Sequence, residues 1–172
     1  MDPWWPLVGW RQMKRPRSKL KLAHTADQPW TEIDFGSCLH RAREVETEIL
    51  TACEKHHFSE NDLFAIKLAL EEALVNAVKH GNKLDPAKMV RVRYRACDQR
   101  ADVIIEDEGT GFNPAELPDP LAEENIERCS GRGILLMRAY MSSVVFNPQG
   151  NKVTMTKFNG NYTAQSSRAA MG

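Results

Sequence analysis

Two short runs, VRVRYRAC (Val90–Cys97) and ADVIIEDEG (Ala101–Gly109), constrain the fold more than any other part of the chain. In the first, Val90, Val92, Tyr94 and Ala96 alternate with Arg91, Arg93 and Arg95, the two-residue period of a strand with one apolar face. Asp98-Gln99-Arg100 forms a tight turn, so the second run folds back as the other arm of a hairpin. Its Asp102, Ile104 and Glu106 share one face and oppose the arginines, which predicts cross-strand ion pairs on a solvated face. A sheet charged on one face needs a cover only on the other.

Helices to cover it precede and follow the hairpin. From Thr31 to His57 the pattern shifts to helical periodicity through Leu39, Ala42, Val45, Ile49, Leu50 and Cys53, after an alternating strand-like run at Ser18–His24. A second helix starts at Ser59, whose hydroxyl can cap together with Asp62 three positions on. It runs through Leu63, Ile66, Leu70, Ala73 and Ala77 and stops at Gly81-Asn82. GILLMRAYM reads as a third helix, and SSVVFNPQGNKVTMTKF as two strands joined by a turn from Asn147 to Asn151. This order predicts an α+β two-layer sandwich, a mostly antiparallel sheet with helices on one face.

At 172 residues the chain suits a single domain, placed at 18–158. Residues 1–17 carry Trp4, Trp5 and Trp10 among prolines and a basic cluster; they read as a flexible extension, with a docking peptide as the alternative. Residues 112–130 hold three prolines and five acidic residues, a long connection that marks a mobile lid. Residues 159–172 are small and polar and read as a flexible tail.

Lys plus Arg and Asp plus Glu both number 23, so the chain lacks the global positive field of a nucleic-acid binder or polybasic membrane protein. Cys38, Cys53, Cys97 and Cys129 are scattered without zinc-ligand spacing, and no run is long enough to span a membrane. The expectation is a cytoplasmic protein with no direct nucleic-acid or membrane partner.

Polar residues interrupt the core helix in LEEALVNAVKHGN (Leu70–Asn82), where Glu72, Asn76 and His80 recur at every fourth position. Two further clusters stand out: Asp107-Glu108-Gly109-Thr110-Gly111 at a strand end, and Ser130-Gly131-Arg132-Gly133 opening a helix. Singly these read as a solvated stripe, a turn and a flexible joint. Together they suit one phosphorylated ligand. The amide oxygen of Asn76 is a hard donor of the kind Mg²⁺ takes, and Glu72, about 6 Å away along the axis, can accept a proton. Gly131 and Gly133 around Arg132 let backbone N–H groups approach phosphate at a helix start. Asp107 can accept from an exocyclic amine such as adenine's, with Gly109 and Gly111 allowing close approach. His80 is expected to pack or hydrogen-bond rather than react, and His56 and His57 to lie at the surface.

ExxxNAxxHG (Glu72–Gly81), DEGTGF (Asp107–Phe112) and RCSGRGILLM (Arg128–Met137), in this order, resemble the N, G1 and G2 boxes of the GHKL, or Bergerat-fold, ATPases. More narrowly the chain resembles anti-sigma-factor serine kinases of the RsbW/SpoIIAB type, over roughly residues 18–158. The resemblance implies an ATP- and Mg²⁺-dependent kinase that binds a sigma factor of RNA polymerase and phosphorylates a serine of a STAS-domain anti-anti-sigma protein. It also implies a homodimer. By position, Glu72 resembles the general base, Asn76 the Mg²⁺ ligand and Asp107 the adenine acceptor. Gly109, Gly111, Gly131 and Gly133 resemble the nucleotide-loop glycines, and Arg128 the lid arginine that reaches the terminal phosphate. A non-catalytic module of the same fold, in which nucleotide gates partner binding through the lid, is the alternative expectation.

Overall fold

The computed structural model describes residues 28–114 and 132–162. The predicted strand at Ser18–His24, the Trp-rich extension, Arg128, Gly131 and all but the first residues of the 112–130 lid lie outside these described residues.

Within them the chain runs β1 (Thr31–Gly36), α1 (Leu39–Lys55), α2 (Glu60–Val75) with a π-helical turn (Asn76–Gly81), β2 (Met89–Ala96) and β3 (Arg100–Asp107). After the undescribed connection come α3 (Arg132–Tyr140), β4 (Ser143–Phe146) and β5 (Lys152–Phe158). The strands form one sheet in the order β1-β2-β3-β5-β4, with every neighbouring pair antiparallel. The predicted two-layer α+β sandwich is the observed fold.

The inward residues of the hairpin, Val90, Val92, Val103 and Ile105, are buried together with Val45 and Ile49 of α1, Ile66, Leu70 and Leu74 of α2, and Met137 of α3. One sheet face is therefore roofed by three helices. Helix α2 begins as its sequence predicts: Ser59 Oγ accepts from the Asp62 N–H at 3.1 Å and donates to Asp62 Oδ2 at 2.8 Å. No helix among the described residues is long and apolar enough to cross a membrane.

The outer face carries the predicted charges, but partly with other partners. Arg95 pairs with Asp102 at 3.0 Å as the hairpin register requires. Arg91 instead reaches Asp34 of β1 at 3.3 Å, while Glu106, opposite it in the register, pairs with Lys152 of β5 at 2.9 Å. Trp30 covers this corner, with the Arg95 guanidinium 4.4 Å from its ring centroid.

Four details correct the sequence reading. The described sheet opens with Thr31–Gly36, a stretch read there as the approach to a helix; its Ile33–Phe35 alternation is too short to stand out beside the helical pattern that follows. The last turn of the core helix is π-helical, with the Asn82 N–H bonded to Ala77 O. His80, expected to pack or hydrogen-bond, lies in this turn and is exposed. The first residues of the expected tail are anchored: Asn159 is buried, its Nδ2 donates to His56 O at 2.9 Å, and the Gly160 N–H donates to Asp62 Oδ2 at 3.0 Å.

Candidate nucleotide site

The core helix lies between the other two polar clusters and touches both. Near its middle, Glu72 is half-buried and its carboxylate lies against the first turn of α3. A Cβ on Gly133 would overlap Glu72 Oε2 and lie 3.0 Å from its Cδ, so a larger residue there would push the carboxylate aside. Arg132 opens the same helix one residue earlier. Asn76 sits one turn past Glu72, half-buried, where the α-helix gives way to the π-turn; its backbone N–H bonds Ala73 O and Glu72 O.

At the far end of that turn Gly81 meets Asp107, the last residue of β3. Asp107 is only 8% exposed, and its Oδ1 accepts from the Gly109 N–H at 2.8 Å. Burial raises its pKa above the ordinary carboxylate value, a shift moderated by the Gly109 N–H and by the positive charge of Lys88. Gly109 packs so tightly that a Cβ there would overlap the Gly81 carbonyl oxygen and sit 2.7 Å from Asp107 Oδ1. Gly111 follows at φ +73°, against the carbonyl of Gln149. The structure thus brings Glu72 to Gly133, and Gly81 to Asp107 and Gly109, along one helix.

A shallow cavity of about 250 Å³ beside the same strand end is lined by Met89, Arg91, Glu106, Glu108, Gln149 and Asn151, among others. Asp107 and Gly109 also line it, whereas Glu72, Asn76 and Gly133 do not.

Sequence reasoning missed two side chains. Asn82, noted only as a helix stop, is fully buried and hydrogen-bonded to Met89 and Glu108. Asn151, noted only as a turn residue, holds the Asp107 carbonyl through Nδ2 at 2.9 Å. The only signal in the sequence was an asparagine beside each glycine turn.

Comparison with known proteins agrees with the fold. The family model of the histidine kinase-like ATPase domain matches residues 37–157. An anti-sigma F factor of Clostridium perfringens (strain SM101 / Type A) is 34% identical over 96 residues, covering 54% of this chain and 68% of that protein. The serine-protein kinase RsbW of Bacillus licheniformis is 33% identical over 111 residues, covering 60% and 69%. That of Bacillus subtilis (strain 168) is 32% identical over 114 residues, covering 59% and 68%. The crystal structure of the RsbU and RsbW domains of Rv1364c from Mycobacterium tuberculosis shares the fold, with a TM-score of 0.52 at 18% identity. The match covers 76% of this chain and 31% of that one, so this chain spans about a third of that structure.

The chain belongs to the histidine kinase-like ATPase domain family. Within that family it is an ATP-dependent protein serine kinase, of the group that includes RsbW and the anti-sigma F factors.

Proposed function

We propose that this kinase is an anti-sigma factor that binds a sigma factor of RNA polymerase and, with ATP and Mg²⁺, phosphorylates a serine of a STAS-domain anti-anti-sigma protein. In this reading it works in the cytoplasm as a homodimer. The observation that carries the proposal is the arrangement along the core helix. Glu72 against the start of α3 and Gly81 against Asp107 lie nine positions apart, roughly 13 Å along a helix axis. One helix then offers a base end and a phosphate end to an extended nucleoside triphosphate.

Each residue has a role in this reading. Asp107, a buried carboxylate acceptor, takes a hydrogen bond from the adenine amine. Gly131, Arg132 and Gly133 bring backbone N–H groups at the α3 N-terminus toward the phosphates. Among the described residues no group of three or more His, Cys, Asp or Glu gathers to hold a metal. Asn76 offers one amide oxygen, a donor that suits a hard ion which completes its shell with phosphate and water. Asn76 would hold magnesium there, and the ion would supply positive charge to offset that of the phosphates. Glu72 accepts the proton of the substrate serine as its Oγ bonds to the γ-phosphorus and the bond to the ADP oxygen breaks. Arg128 stabilises the charge on the transferring group.

The test is to incubate the protein with host lysate, γ-labelled ATP and Mg²⁺. A small protein should acquire phosphoserine; absence of transfer, with ATP binding confirmed in the same sample, would sink the assignment of substrate and roles. Asn76→Ala should lower the Mg²⁺-dependent part of ATP affinity by about 10-fold or more, measured by calorimetry with and without the ion. An unchanged Mg²⁺ dependence would remove Asn76 as the ligand.

Asp107→Asn separates binding from stability. The raised folded-state pKa means that the folded protein holds this proton more tightly than the unfolded chain does. Ionisation of Asp107 thus works against folding: stability is gained as pH falls through the folded pKa and lost as pH rises through it. At neutral pH the substituted amide carries no charge to desolvate, so the variant's urea midpoint should equal or exceed that of wild type. Its ATP affinity should nevertheless fall by about 10-fold or more, because an amide in place of the carboxylate weakens acceptance from the amine. A lower midpoint with ATP binding intact would contradict both expectations.

A further inference from the structure

Asn82 is 0% exposed, and both ends of its side chain bond outside its own helix. Its Nδ2 donates to Met89 O at 2.9 Å, and its Oδ1 accepts from the Glu108 N–H at 2.8 Å. Glu108 closes the ring, since its Oε2 accepts from the Met89 N–H at 2.9 Å. One partner of Asn82 is a carbonyl and the other an N–H, so the site demands a donor and an acceptor on one short side chain, which an amide supplies.

On the other flank, Asn151 Nδ2 donates to Asp107 O at 2.9 Å, and the Asp107 N–H donates to Asn151 O at 2.9 Å. The carbonyl of Asp107 and the N–H of Glu108 are the two poles of a single peptide plane. Asn151 holds one pole and Asn82 the other. With that plane fixed, the Asp107 carboxylate keeps only its own side-chain torsions, and the bond from the Gly109 N–H to Oδ1 restrains these.

We infer that Asn82 is a positioning residue for base selection: by pinning the Asp107–Glu108 peptide plane it sets the direction of the Asp107 carboxylate and so the preference for adenine over guanine. The inference rests on Asp107 as the base acceptor, as proposed above. Asn82 acts through Asp107 and through the backbone. It therefore governs the base end of the ligand and leaves the phosphate end, at Glu72 and Gly133, unchanged.

The experiment measures binding of ATP, GTP and tripolyphosphate by calorimetry, with thermal unfolding of every protein. The variants are Asn82→Asp, which keeps shape and acceptor but removes the donor, Asn82→Ala, Asp107→Asn, and Ile49→Ala in α1 as a control for lost stability alone. Asn82→Asp should lower ATP affinity by about 10-fold or more and narrow the ATP-over-GTP preference, with tripolyphosphate affinity unchanged. Ile49→Ala should keep the wild-type preference. An Asn82 variant that melts earlier but keeps the wild-type ATP-to-GTP ratio would overturn the inference and leave Asn82 a structural residue. If wild type does not distinguish ATP from GTP, or Asp107→Asn keeps the wild-type ratio, the adenine role of Asp107 fails and the inference falls with it. Should Asn82 variants fail to fold, Asn151→Ser releases the other pole of the plane, and a retained ratio there would overturn the inference equally.

Discussion

On the proposed role of Glu72 as general base, Glu72→Gln should leave a protein that binds ATP but transfers its γ-phosphate about 10²- to 10⁴-fold more slowly. The amide keeps the size and the place of the carboxylate against Gly133, so the contact between α2 and α3 survives. What is lost is the capacity to accept a proton from the attacking hydroxyl, and that capacity matters only while the serine reacts. Rate and affinity should accordingly separate: single-turnover phosphotransfer collapses while the calorimetric Kd for ATP stays near wild type. Equal transfer by the two proteins would remove Glu72 from the mechanism, and a parallel loss of ATP binding would recast it as a structural contact.

Gly109→Ala should be a strongly damaging one-carbon change in the site. Its Cβ would overlap the Gly81 carbonyl oxygen, which belongs to the backbone and cannot rotate aside as a side chain would. Either the turn after β3 lifts from the end of the core helix or the π-turn shifts, and both movements displace Asp107. Overpacking of this kind typically costs about 1–3 kcal/mol, so the urea midpoint should drop clearly and ATP binding should fall with it. A wild-type midpoint would show that the turn can move away at no cost, and the close packing would then have no role in holding the base acceptor.

The fold was legible where its signals are local. The arginine-bearing hairpin, the Ser59 cap and the Asn147–Asn151 turn are each written within a few residues, and each is found as expected. The partners of the arginines were less legible, because they depend on which strands flank the hairpin, and β1 had not been recognised as a strand. Arg91 turns to Asp34, 57 positions away in sequence. The π-turn was hidden because Asn76–Gly81 continues the apolar spacing of an α-helix, and the contacts of its end with Asp107 and Gly109 are distant in sequence. Glu72, Asn76, Asp107 and Gly133 could be singled out because their residue types are unusual in a core helix or at a strand end. Asn82 could not, since its meaning lies in Met89 and in Glu108, 26 positions downstream.

Strand β3, which ends in Asp107, is flanked on both sides, by β2 and by β5. Backbone amides in such a strand are among the last in a protein to open to solvent, so amide exchange along Val103–Asp107 should approach the rate set by global unfolding. On the proposed role of Asp107, a base recognised from the end of this strand would meet a rigid template. Little ordering accompanies its binding, and the template cannot reshape itself around a different base. Discrimination at this end of the site then works by exclusion, and purine analogues altered at the exocyclic amine should be rejected steeply rather than accommodated by degrees.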